Sequence, residues 1–274
     1  MKTLIILAGG RSSRMKNSVN QAELSDPQKL AARNLHKSLI PLGVTKAPLL
    51  SLLCDHAQQA GAQRIVIVTA PDNEAFHLWR TAYQSNRTHS AAIDFAIQQP
   101  INGKPLGTAD AVLSAFETFP ELQKSRVAIA NGDNLYSAKA ISIALEHQHT
   151  PHALIAYEAA HLGFDPHRIA SFALIKVDHK NRVIAIVEKP EVATHAEYKD
   201  SDGNLRVSMN LISVWGPSFY KALKACPIHP LRGEKELPEA IRIAIDSDPQ
   251  SVYCHLVFER LPDLTSAADL QTFS

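Results

Sequence analysis

A short run near the start, TLIILA over residues 3–8, constrains this chain more than any other stretch. It is rich in Ile and Leu and is cut off by Gly9-Gly10. An apolar run of that length, ended by paired glycines, predicts a buried strand feeding a tight loop. Arg11 and Arg14 follow, with Ser12 and Ser13 between them. Glycines let backbone approach a ligand closely, and such a loop offers N–H donors, hydroxyls and guanidinium forks, groups that suit a polyphosphate. The same residues also suit a plain surface turn with solvated arginines, so the rest of the chain has to decide.

Downstream, strands and helices alternate. Apolar runs at 64–70, 91–98 and 127–130 read as strands, and apolar residues at helical spacing predict helices over 48–60, 71–84, 106–119 and 137–147. This alternation implies a mostly parallel sheet with helices on both faces. The polar segment 16–34, with Asp26-Pro27 inside it, predicts a mobile flap with about one helical turn. After residue 150 the strands at 153–157, 170–177, 183–187 and 207–215 have little helix between them, and Lys180-Asn181-Arg182 reads as a hairpin-like turn. Helices over 218–226, 234–244 and 266–273 and a strand over 252–258 complete the pattern. The fold class is therefore α/β: a Rossmann-like three-layer sandwich with a mixed, mostly parallel central sheet and a smaller antiparallel lobe.

Bulk properties narrow the function. With 274 residues, the chain is long enough for one large α/β domain with a full core. A net charge of +1 gives no bulk attraction to nucleic acid or an anionic membrane, so any anion site is local. Cys54, Cys226 and Cys254 lie far apart with no CxxC pair, which argues against a disulfide framework or a structural zinc and favours reduced thiols in a cytoplasmic protein. No run approaches membrane-spanning length, and the apolar stretch after Lys2 is too short for a signal peptide.

Ligands of open α/β sheets bind beyond the carboxyl ends of the strands. Three polar groups fall there: Gly9 to Arg14, Gln98 with Gln99, and Asn131-Gly132-Asp133. An Asp at a strand end beside a phosphate loop suits Mg²⁺, although it also suits an Asx turn ahead of the next helix. No Ser/His/Asp or Cys/His arrangement stands out. Of the 13 scattered histidines, His36 is the one to watch.

The motifs LAGGRSSRM, Lys37 within HKSLIPL, LGTADAV at 106–112, NGDNLY at 131–136, VEKP at 187–190 and SMNLISV at 208–214 occur in a fixed order. With GEKELPEAI at 233–241 and LPDLTSAADL at 261–270, this order resembles the sugar-1-phosphate nucleotidyltransferase family over nearly the whole chain. The resemblance implies one domain, residues 1–274, with a nucleotide-binding half over 1–150 and a sugar-phosphate-binding half over 151–274. It implies that Leu7, Ala8, Gly9, Gly10, Arg11, Ser12, Ser13 and Arg14 cradle the triphosphate, with Arg14, Lys37 and Asp133 catalytic. Gln98 or Gln99, with Gly107 and Thr108, would read the base. Gly132, Glu188, Lys189 and Asn210 would hold the sugar phosphate, and Asp133 and Asp263 would be the Mg²⁺ carboxylates. The implied reaction is Mg²⁺-dependent transfer of a nucleotidyl group from a nucleoside triphosphate, UTP or dTTP by the glutamine hint, to a sugar 1-phosphate. The implied partners are small substrates, with no nucleic acid and no membrane; a homo-oligomer is left open. Two departures stand out. His36 takes the place of the family's proline before the lysine, and Ser12-Ser13 replace Gly-Thr, a variant similar to the molybdenum-cofactor guanylyltransferases. The alternatives are guanylyl or cytidylyl transfer to a non-sugar phosphate, and a catalytically silent nucleotide- or sugar-phosphate-binding regulator.

Overall fold

The computed structural model describes residues 1–85, 87 and 90–273. From its start the chain runs through β1 (Thr3–Leu7), α1 (Ser13–Ser18), α2 (Asp26–Asn34), β2 (Pro41–Leu42), β3 (Ala47–Pro48) and α3 (Leu49–Gln59). It continues with β4 (Arg64–Thr69), α4 (Glu74–Ser85), β5 (Ala92–Ile97), α5 (Thr108–Thr118), β6 (Arg126–Asn131) and α6 (Ala138–Glu146). Then come β7 (His152–Glu158), α7 (Pro166–Ile169), β8 (Ala173–Val177), β9 (Val183–Glu188) and β10 (Arg206–Trp215). Helices α8 (Gly216–Ala225) and α9 (Leu237–Ser247) precede the last strand, β11 (Val252–Val257).

Strand β1 shows why the opening run is apolar at every position rather than alternating. Leu4 and Ile6 point into one core cluster with α3 and α6, and Ile5 points into the other with α5, α8 and α9. A strand covered by helices on both faces buries every side chain. It pairs in parallel with β4 on one side and β6 on the other. The sheet has nine strands, with the main order β11-β7-β10-β6-β1-β4-β5 and with β8 and β9 branching off β10. Strand β10 runs antiparallel to β6, β7 and β8, whereas β11 and β7 are parallel. The result is the expected three-layer, mixed sheet with antiparallel additions; β2 and β3 form a separate small antiparallel pair.

The parallel order places the carboxyl ends of β1, β4, β5 and β6 along one edge, where the expected ligand loops begin. The segment expected as a mobile flap is built differently. Helix α1, a 3₁₀ turn over Val19–Gln21 and α2 fill it. The backbone N–H of Ser25 donates to Gln28 Oε1 at 3.0 Å, closing the entry to α2. Met15, Val19, Leu24 and Ala32 form a third core with Leu49, Leu264 and Leu270. Its apolar residues are too sparse to show as a pattern, because half of their partners, Leu264, Ala267 and Leu270, come from the far end of the chain. The closing segment, expected as a helix over 266–273, forms 3₁₀ turns over Ala267–Phe273. All three cysteines are free and buried, and among the described residues no helix is long and apolar enough to cross a membrane.

Candidate active site

A cleft of about 330 Å³ opens at the ends of β1 and β6. Leu7, Ala8, Gly9, Gly10 and Arg14 line its floor, Gly132 and Asp133 its far wall, and Gln98, Gly107 and Thr108 its near wall. Lys37 enters from the 3₁₀ turn that follows α2. Most of the groups expected for the nucleotide thus share one space. Gln98 is buried and lines the cleft, whereas Gln99 is exposed and does not line it. Arg11 and Ser13 are exposed and outside the cleft lining.

Lys37 Nζ donates to Asp133 Oδ2 at 2.5 Å. Both side chains are mostly shielded, at 14% and 21% exposed, so little solvent screens the pair. Two contacts hold Lys37 in place. Ser12, left-handed at φ 55, turns its hydroxyl to accept the Lys37 backbone N–H at 3.1 Å. The His36 ring then joins the loop to the same turn: its Nε2 lies 3.0 Å from the Gly10 carbonyl and its Nδ1 lies 2.7 Å from Ser38 Oγ. A carbonyl only accepts, so Nε2 carries the hydrogen and Nδ1 accepts from Ser38. Burial, aided by the Lys37 charge, lowers the His36 pKa to about 4 and keeps the ring neutral in this role. His36 therefore does by hydrogen bonding what a proline there would do by fixing φ.

The Asn131–Tyr136 loop is fixed from below. The Gly132 N–H donates to the Leu7 carbonyl at 2.8 Å. The buried Tyr136 hydroxyl donates to the Met209 carbonyl at 2.5 Å and accepts the Asn131 N–H at 3.2 Å. The Leu264 N–H donates to the Asp133 carbonyl at 2.8 Å, which brings Asp263 beside this loop. The Asp263 carboxylate is already engaged. Oδ2 accepts from Arg168 at 2.7 Å and from the Thr265 hydroxyl at 2.8 Å, and Oδ1 accepts from Asn134 at 3.2 Å. Arg168 also pairs with Asp269 at 2.7 Å. Burial and the nearby Asp133 charge raise the Asp263 pKa, while Arg168 and Thr265 oppose them.

The near wall is clamped by a segment that sequence reasoning did not place in the site. The Lys235 N–H donates to the Leu106 carbonyl at 2.6 Å, and the Ala109 N–H donates to the Lys235 carbonyl at 3.0 Å. A side chain on Gly107, which sits at φ 103, would collide with the Lys235 backbone, so only glycine fits there. Glu234 lines the cleft and also a second cavity of about 340 Å³, where Glu188 and Arg232 face it. Burial and the Glu236 charge raise the Glu188 pKa. Lys189 Nζ stands 3.9 Å from Glu188 Oε1. Lys189 at φ 50 and Asn210 at φ 57 both adopt the left-handed conformation. Asn210 sits where the β10–β7 register shifts between Ser208 and Leu211. Neither Lys189 nor Asn210 lines the nucleotide cleft. Among the described residues, no group of three or more His, Cys, Asp or Glu side chains is arranged to hold a metal.

Sequence reasoning missed three residues at or beside the cleft: Asp110, whose Oδ2 accepts from Gln98 Nε2, Glu234, which lines the wall, and Arg168, which pairs with Asp263. Asp110 and Arg168 are marked only by partners from elsewhere in the chain, so neither carries a local signal. A family model described as Nucleotidyl transferase matches residues 3–255, which is nearly the whole chain and stops short of Asp263. No curated protein gives a significant match.

Proposed function

Because the chain belongs to the nucleotidyl transferase family, we propose that it transfers the nucleotidyl group of UTP or dTTP to a sugar 1-phosphate with release of pyrophosphate. The observation that carries this reading is the meeting of the Gly9-Gly10 loop, Arg14, Lys37 and Asp133 at one cleft. An oxygen of the acceptor phosphate attacks the α-phosphorus, a new P–O bond forms, and the bond to the β-phosphate oxygen breaks. The attacking oxygen is ionised at neutral pH, so no general base is needed. The work is alignment of two polyanions and neutralisation of charge at the reacting centre.

Arg14 and the loop N–H groups bind and orient the triphosphate, and Lys37 offers its ammonium to the reacting phosphate oxygens. Mg²⁺ typically binds one or two carboxylates together with substrate phosphates. Asp133 fits that pattern: it stands at the cleft wall, and among the described residues only Lys37 donates to its carboxylate. When bound, the ion supplies charge neutralisation to the phosphates. Asp263 fits less well, since Arg168, Thr265 and Asn134 already occupy both of its oxygens. Glu188 and Lys189 suit the acceptor, the carboxylate for a sugar hydroxyl and the ammonium for the phosphate, with Asn210 as a further hydroxyl partner.

The test is a panel of sugar 1-phosphates and other phosphate acceptors crossed with UTP, dTTP, GTP, CTP and ATP. Pyrophosphate release is measured with and without Mg²⁺. Turnover with UTP or dTTP and a sugar 1-phosphate supports the reading. Turnover only with a non-sugar acceptor and GTP or CTP replaces it, and nucleotide binding without turnover marks a silent regulator.

A further inference from the structure

Gln98 has unequal ends. Its Nε2 donates one hydrogen to the Gly107 carbonyl at 2.9 Å and the other to Asp110 Oδ2 at 2.8 Å. A carbonyl and a carboxylate only accept, so the two partners together fix the orientation of the amide. Turning it over would set Oε1 against two oxygens. Both N–H donors are thereby used, and among the described residues nothing donates to Oε1. The residue is only 4% exposed, yet it lines the nucleotide cleft. Gly9 makes room for this oxygen, because a Cβ at that position would lie 3.0 Å from Oε1.

We infer that Asp110 is a specificity-determining positioning residue: with the Gly107 carbonyl it turns Gln98 so that this side chain offers a base only an acceptor. The inference rests on the proposal that this cleft takes a nucleoside triphosphate. A buried acceptor without a donor is costly, so the bound base must bring an N–H to it. Uracil, thymine and guanine carry a hydrogen on the ring nitrogen at the middle of their pairing edge. Cytosine and adenine carry a lone pair there and would set it against Oε1. The chemical class read by the cleft is thus the base with a ring N–H, and Asp110 reads it without touching it. Sites built around a buried polar group reject ligands that leave it unpaired far more strongly than apolar pockets reject an extra group.

The experiment measures the dissociation constants of UTP, dTTP, GTP, CTP and ATP, and of inorganic tripolyphosphate, for the full chain and for Asp110→Ala and Asp110→Asn. The full chain is expected to prefer the best ring-N–H nucleotide over CTP and ATP by at least tenfold. Asp110→Ala frees one Nε2 hydrogen, lets the amide rotate, and is expected to shrink that preference about tenfold with tripolyphosphate affinity unchanged. Asp110→Asn keeps an oxygen acceptor in the same place and is expected to restore the preference to within about threefold. An unchanged preference in Asp110→Ala, with tripolyphosphate binding intact, overturns the inference and leaves the nucleotide cleft standing. Preference for CTP or ATP by the full chain overturns it as well. Failure of tripolyphosphate to compete with any nucleotide instead overturns the location of the triphosphate, and the inference falls with it.

Discussion

At the ends of β1 and β6, functional groups are placed by backbone that the sheet has already fixed. Gly132 hangs from the Leu7 carbonyl, and the buried Tyr136 ties down its loop. Just after β9, and at the register shift inside β10, the candidate acceptor groups sit on left-handed backbone: Lys189 and Asn210 both adopt positive φ. A lysine in that conformation costs about 1 kcal/mol or more relative to the ordinary regions. The candidate nucleotide loops thus hang from the sheet, with one left-handed residue of their own at Ser12, whereas Lys189 and Asn210 are both left-handed, a conformation that lysine resists and asparagine tolerates. Such backbone persists where the surroundings over-determine it.

The largest effect separating the two regions is expected from Asp133→Asn. Pyrophosphate release should fall by about 10³-fold, with the circular dichroism spectrum unchanged and acceptor binding by calorimetry retained. Loss of acceptor binding as well would mean that the two regions act as one. Arg168→Met comes next. Stripping the buried Asp263 of its cation should lower the unfolding free energy by about 2–3 kcal/mol in urea titrations. Turnover should stay within about tenfold of the parent. A loss as deep as that of Asp133→Asn would move Asp263 into the reacting centre.

Asn210→Gly asks whether strain is kept for the sake of a side chain. Glycine is at ease at φ 57, so thermal stability should hold. The KM for the acceptor should rise about fivefold, the scale of one lost hydrogen bond, with the KM for the nucleotide unmoved. The smallest effect is a difference in pH response. His36 titrates near 4, so it stays neutral from pH 5 upward and adds no pH dependence of its own to nucleotide affinity there. Glu188 has a raised pKa, so as the pH falls it takes up its proton earlier than an ordinary carboxylate. Acceptor affinity should therefore decline on mild acidification, and Glu188→Gln should flatten that decline. Equal slopes for both substrates would erase the contrast.

The parallel half was legible because its signals are local. A glycine pair after an apolar run, and an Asp after another, mark strand ends whatever the tertiary context. Gln98 and Gln99 show where local reading stops. Both faces of β5 are covered, Ile93 entering one core and Ala96 the other, so alternation does not choose between the two glutamines. The engagement of Asp263 was hidden for a different reason: Arg168 is 95 residues away and comes from another element. His36 lay between these cases, visible as a departure from the proline but not as the contact that replaces it.

Helix α1, which carries Arg14, leans on the segment near residue 267, where the Ala267 N–H donates to Ser18 Oγ across 249 residues of chain. On the ribosome those two pieces are made about 12 to 50 seconds apart at ordinary elongation rates of about 5–20 residues per second. During that interval the parallel strands can already pair, but the helix that presents Arg14 lacks the Leu264, Ala267 and Leu270 part of its floor. A nascent chain therefore carries an opening loop that is not yet fully backed by its core, and the proposed triphosphate site is completed late in synthesis.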